Sequence, residues 1–194
     1  MPFKPEFLII YFTTIVWAVI PFRQYRKKYF YYFYFNNIGD YLTLYARFLF
    51  HSQSNFFYVP TNLLMLISIQ EASSIKKYKA MYLTGLLVLS ILYFYLNTDE
   101  NFILDALIYF LILITLSKDF IKIFFKERII NLFIAVIILD AAISMLRYLG
   151  VISGASNGYF YFYASIAFEI LIGFFFWIKA DNPRLLIKLR KIDY

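Results

Sequence analysis

This chain predicts an all-α fold, a polytopic integral membrane protein of seven transmembrane helices, and three observations predict it. Composition is the first. Of the 194 residues, 62% are hydrophobic and mean hydropathy is +0.67, beyond what a soluble domain of this size carries. The second is the division into seven apolar runs, at 7–22, 29–50, 56–70, 80–96, 102–116, 129–149 and 159–178, several at or below the low end of the ~17–25 residues that cross a bilayer and completed by flanking Tyr, Lys and Asn that reach the interface. The third is charge. Sixteen of the nineteen basic residues fall after the first, third, fifth and seventh runs. Basic residues resist translocation, so this alternation puts the N-terminus outside and the C-terminus in the cytoplasm.

Each run has its own justification. The first is followed, not preceded, by its charges (Arg23, Arg26, Lys27, Lys28), and Ile20-Pro21-Phe22 has no small-x-small site. It reads as a retained helix and not a cleaved signal. The second opens on Tyr29, Tyr31 and Tyr32, an aromatic belt at a cytoplasmic interface. The third ends before Lys76, Lys77 and Lys79. An acidic outer turn at 97–101 separates the fourth from the fifth, and Lys118, Lys122, Lys126 and Arg128 follow the fifth. A flexible turn at 153–158 separates the sixth from the seventh. The basic tail, 179–194, is cytoplasmic. Within it 185–192 mixes apolar and basic residues and reads either as an amphipathic helix on the leaflet or as a solvated tail. Short gaps leave one domain, 1–194, with consecutive helices antiparallel.

Composition also excludes. With no cysteine and one histidine, His51, thiolate and histidine metal sites are ruled out, and no cofactor is expected. A net charge of +7 spread over four cytoplasmic segments fits anionic lipid headgroups and not nucleic acid.

Asp40 is followed seven residues later by Arg47-Phe48-Leu49, and Asp140 by Arg147-Tyr148-Leu149. Arg26 and Lys28 correspond to Lys126 and Arg128, and Lys79 to Lys179, at the same offset. The pattern suggests two parallel three-helix repeats joined by the fourth helix, a 3+1+3 plan.

That plan, with seven helices, an outside N-terminus and this length, resembles the PQ-loop and SWEET-type transporters. The stretch Ile20-Pro21-Phe22-Arg23-Gln24 keeps the family's Pro and the basic loop after it. Phe22 stands where the family has Gln, and the fifth helix ends in Leu116-Ser117-Lys118-Asp119 with no Pro. The resemblance implies a transporter fold, and the missing second Pro puts its hinge in doubt. Gly39-Asp40 is similar to the Gly-Asp of lysoplasmalogenase-type membrane enzymes, but Leu139-Asp140 departs from their Ser-Asp. Asn37-Ile38-Gly39-Asp40 half matches the Gly-x-Gly-Asp of intramembrane aspartyl proteases.

Ionisable residues at membrane depth mark function by default. Asp40 and Asp140 each lie eleven residues into their runs, about 16 Å deep at 1.5 Å per residue. Glu169 reaches the same level from the other side. Asn37 extends the polar face of Asp40. These four form the expected midplane site. Converged carboxyls require protonation, a cation or an arginine. Arg47, His51, Asp105 and Arg147 form an expected outer vestibule, with Asp105 placed to partner one of the arginines; snorkelling to the outer headgroups is the alternative for Arg47 and Arg147. No catalytic residue is assigned, because no histidine base lies within the bundle.

The leading functional expectation is a non-catalytic subunit, sensor or regulator of a membrane-associated partner, in a bacterial inner membrane, contacting anionic lipid and a protein partner or a second copy. The alternatives are a cation- or proton-linked transporter of a small solute, and a membrane lipid hydrolase.

Overall fold

The computed structural model describes residues 5–50, 57–93, 95–154, 158–179 and 185–188. Its elements run α1 (Pro5–Ala18), α2 (Ile20–Arg23), α3 (Phe30–Phe50), α4 (Tyr58–Ser68), α5 (Ala72–Lys77), α6 (Lys79–Leu92), α7 (Thr98–Glu127), β1 (Ile129–Asn131), α8 (Leu132–Ile152), α9 (Gly158–Ile178) and β2 (Leu186–Lys188). The fold is all-α apart from one pair of short strands.

Several boundaries differ from the sequence reading, each for a local reason. The first run is not one helix. Pro21 has no amide hydrogen to donate, and the chain restarts there as the single turn α2. The gap after the third run holds the short helix α5. The fifth helix does not stop at residue 116. It continues through the expected basic loop to Glu127, because 117–127 contains neither Gly nor Pro, and Phe120 and Ile123 pack against the core. Its start is fixed by a capping box: Asn97 Oδ1 accepts from the Glu100 amide and Glu100 Oε2 accepts from the Asn97 amide, both at 2.9 Å. Arg128, with φ of 53°, turns the chain into the left-handed region and ends α7.

The tail is neither an amphipathic helix nor free where it is described. Leu186–Lys188 pairs antiparallel with β1, in the register Ile129↔Lys188, Ile130↔Ile187, Asn131↔Leu186. Paired apolar residues just beyond the Arg128 turn present an open edge, and the Leu-Ile-Lys of the tail covers it.

The packing forms a closed ring. In order around it stand α1, α3, α4, α7, α8 and α9, which returns to α1. Helix α6 stands outside, against α4 and α5. Two glycines allow close approach. A Cβ at Gly39 would sit 2.6 Å from Thr61 Oγ1 on α4, and one at Gly173 would sit 2.8 Å from Val16 Cγ1 on α1. Inside the ring an aromatic knot joins Trp17, Phe33, Phe133 and Phe176, with Phe33–Phe176 centroids 4.7 Å apart and Phe133–Phe176 5.2 Å apart.

Among the described residues one helix, α8, is by itself long and apolar enough to cross a membrane; Tyr58–Ser68, Lys79–Leu92 and Tyr163–Ile178 are apolar but shorter. By that measure the seven expected spans reduce to one. Helix α3 has the same length as α8, but its Tyr, Asn and Asp residues lower its hydropathy.

Candidate functional site

Three helices bring aspartates to the ring interior. Asp140 on α8 is 4% exposed and Asp105 on α7 is 1% exposed. Asp40 on α3 is half-buried. None is left bare. Tyr32 on α3 donates its hydroxyl across the ring to Asp140 Oδ2 at 3.3 Å. Tyr58 on α4 donates to Asp40 Oδ1 at 3.4 Å. Asn62, also on α4, donates to Asp105 Oδ1 at 2.8 Å. The Tyr109 phenol on α7 lies within electrostatic reach of all three carboxyls, and its ring packs against Tyr148 with centroids 5.8 Å apart.

Among the described residues the cation of the site is Arg147. Its guanidinium pairs with Glu169 of α9, and it lies within electrostatic reach of both Asp40 and Asp140. The chain folds this way because Asp140 and Arg147 are two turns apart on one face of α8, and α9 packs beside that face. Charges in such surroundings must be neutralised or bonded. Among the described side chains this one guanidinium serves three carboxyls, Glu169 as its partner and Asp40 and Asp140 within reach, while the fourth, Asp105, is met by Asn62.

Thus the structure brings Asp40 and Asp140 together, and ties Glu169 to them through Arg147. Two expectations change. Asp105 is not at a mouth beside an arginine; it is interior and bonded to Asn62. Arg147 is not a vestibule residue extended to headgroups; it turns inward to Glu169, because a carboxylate beside it offers a stronger partner than distant water. Asn37 is buried beside Asp40 but reaches sideways, its Nδ2 donating to the Trp17 carbonyl of α1. Arg47 lies on α3 with its side chain outside the described residues, and His51 also lies outside them.

Sequence reasoning missed the phenols and the α4 donors. Tyr32, Tyr58, Tyr109, Tyr148 and Asn62 complete the site, yet the sequence holds 19 tyrosines and nothing local separates these from the belt tyrosines. It also missed a charged cleft of about 220 Å³ at the other end of α3, lined in part by Lys28, Gln70, Glu71, Asp119, Lys122 and Lys126. There Lys28 pairs with Asp119 at 3.0 Å and Lys122 with Glu71 at 3.9 Å. Partial burial pulls the Lys28 ammonium towards neutrality, but Tyr29 and Asp119 more than offset it, and its pKa moves up.

No family model, no curated protein and no solved structure matches this chain.

Proposed function

We propose that this chain is an integral membrane protein of seven spans on the 3+1+3 plan, in a bacterial inner membrane, and that its interior acids bind a proton or a small cation in linkage to the movement of a small solute. The observation that carries the reading is the imbalance among the described side chains of the ring interior, four carboxyls against one guanidinium. A scaffold has no use for such an arrangement, because each uncompensated carboxylate costs several kcal/mol when removed from water. A carrier of protons or cations does.

Two further features support a membrane setting. The outward faces are apolar, as in Leu83, Leu87 and Ile91 of α6, Leu107 and Ile114 of α7, and Leu171 of α9, while the polar groups gather inside. A soluble protein has the reverse pattern. The ring order is also unchanged when α1, α3, α4 are exchanged with α7, α8, α9, as a pair of parallel repeats requires. The resemblance to PQ-loop and SWEET-type transporters points the same way.

The second reading, a subunit or sensor, has one observation in its favour. Helix α6 has no buried residue and packs only at the ring's margin, so its outer face suits a partner helix as well as lipid.

Purification from membranes in mild detergent separates the two. A lone particle that, in sealed vesicles, takes up solute with a co-moving proton or cation supports transport, and Asp40→Asn or Asp140→Asn should abolish the coupling. A stable assembly with other subunits and no uptake supports the second reading.

A further inference from the structure

We propose that the charged cleft beside Lys28 and Asp119 is the cytoplasmic mouth of the solute path, a water-filled vestibule recessed into the inner leaflet and shut off from the interior acids by a layer of buried side chains. This rests on the transporter reading and names where that path meets the cytoplasm.

Helix α8 sets the depth. It is apolar enough to cross a membrane from its first residue, Leu132, and only residues 128–131 separate it from the end of α7 at Glu127. The last turns of α7 therefore stand beside the first turns of a membrane span. The outer face of α7 agrees. Ile103, Leu107, Leu111, Ile114, Ile121 and Phe125 are each 45% exposed or more, and their spacings of three, four and seven keep one helix face. From Ile103 to Phe125 that stripe covers about 33 Å, the thickness of a bilayer's hydrocarbon. Lys118 is exposed within it, and its stem is long enough to carry the ammonium towards the headgroups.

The inner face of α7 turns polar sooner. Asp119, Lys122, Ile123 and Lys126 line the cleft of about 220 Å³, and Asp119 stands about 9 Å above Phe125. Charges at that depth face the bundle interior or a water-filled cavity.

Helix α4 makes the room. Asn62 is bonded to Asp105, which puts α4 and α7 in register. From there α4 runs six residues to Ser68, while α7 runs twenty-two to Glu127, a difference of about 24 Å. Ile69, Gln70 and Glu71, just past the end of α4, line the same cleft. Irregular backbone at membrane depth is tolerated where it borders a cavity. Glu71 and Lys122, paired there, keep 70% and 67% of their side chains exposed.

The cleft does not run through to the acids. On α7, Leu116 and Ile112 stand between Asp119 and Asp105; on α3, Tyr32 and Phe33 stand between Lys28 and Asp40. All four are buried to 1% exposure or less. Tyr32 closes the layer and carries its hydroxyl to Asp140 beyond it.

The test uses single cysteines in the full chain, which has none of its own. A membrane-impermeant thiol reagent is added to vesicles with the cytoplasmic face outward. Ile123→Cys should react. Phe125→Cys, one residue pair lower but on the outer stripe, should react at least about tenfold more slowly, because an apolar setting suppresses the reactive thiolate. Leu116→Cys should stay unlabelled. Equal rates at Ile123→Cys and Phe125→Cys overturn the recess and make the end of α7 a projection into the cytoplasm. No reaction at Ile123→Cys overturns the water-filled cleft, and reaction at Leu116→Cys overturns the layer. Where Ile123→Cys or Leu116→Cys does not fold, Lys122→Cys and Ile112→Cys take their places. Any of these failures in a chain that still takes up solute overturns the vestibule and leaves transport standing. Release of the chain from membranes by alkaline carbonate removes the membrane reading itself.

Discussion

The rings of Phe33 and Phe133 meet edge-on at 6.2 Å in the core, and the two residues stand one hundred positions apart in the chain. Seven positions further on stand Asp40 and Asp140, and seven beyond those Arg47 and Arg147. A heptad keeps one helix face. Helices α3 and α8 thus carry the same aromatic and acidic levels to the ring interior.

We predict from this that Phe33→Ala and Phe133→Ala destabilise the protein by similar amounts, about 3–5 kcal/mol each. Both rings are fully buried and both pack on Phe176. Unfolding by a denaturing detergent, read by far-ultraviolet circular dichroism, measures it. A large cost for one and none for the other would mean that the two levels do not share the core.

Arg147 and Glu169 are not equal partners. Glu169→Gln leaves Arg147 with two aspartates in reach, and about 1 kcal/mol of lost stability is expected. Arg147→Gln strands Glu169 and removes the cation in reach of Asp40 and Asp140, and about 3 kcal/mol is expected, the low end for a broken buried pair because a third of the arginine side chain is exposed. The double variant should cost less than the two single losses together. Equal single losses would show that Arg147 serves Glu169 alone.

Gly39 is a packing position. In Gly39→Ala the new methyl meets Thr61 Oγ1, which is itself held by the Phe57 and Tyr58 carbonyls. A destabilisation of about 1–3 kcal/mol is expected, and Thr61→Ala in the same chain should restore much of it. Absence of rescue would place the strain elsewhere.

Topology is testable without background, since the chain has no cysteine. Lys77→Cys and Asp99→Cys should react with a membrane-impermeant thiol reagent from opposite sides of sealed vesicles. Same-side labelling would sink the orientation drawn from the basic gaps.

Much of the helical layout was legible because apolar runs and charge breaks act locally. Helix α7 shows where that stops: Lys118, Lys122 and Lys126 looked like a loop, yet with no breaker residue among them the helix simply runs on. The β1–β2 pair was illegible for another reason. It joins segments nearly sixty positions apart, and neither alternates strongly enough to announce itself. In the site, Asp40, Asp140 and Glu169 were readable as charges at matched depth. The turn of Arg147 inward, and of Asp105 towards Asn62, depended on which helices become neighbours.

The ring is closed by α1 against α9, with Gly173 seated on Val16 and Trp17. Such a closure imposes an order on biosynthesis. Until α9 emerges the ring stands open like an unbuckled strap, and Arg147 of α8 has been made without Glu169, the carboxylate it later pairs with. Arg147 is therefore left with the two aspartates in its reach, Asp40 and Asp140, until the last helix packs. Variants that slow translation between α7 and α9 would then lower yield without touching the finished protein.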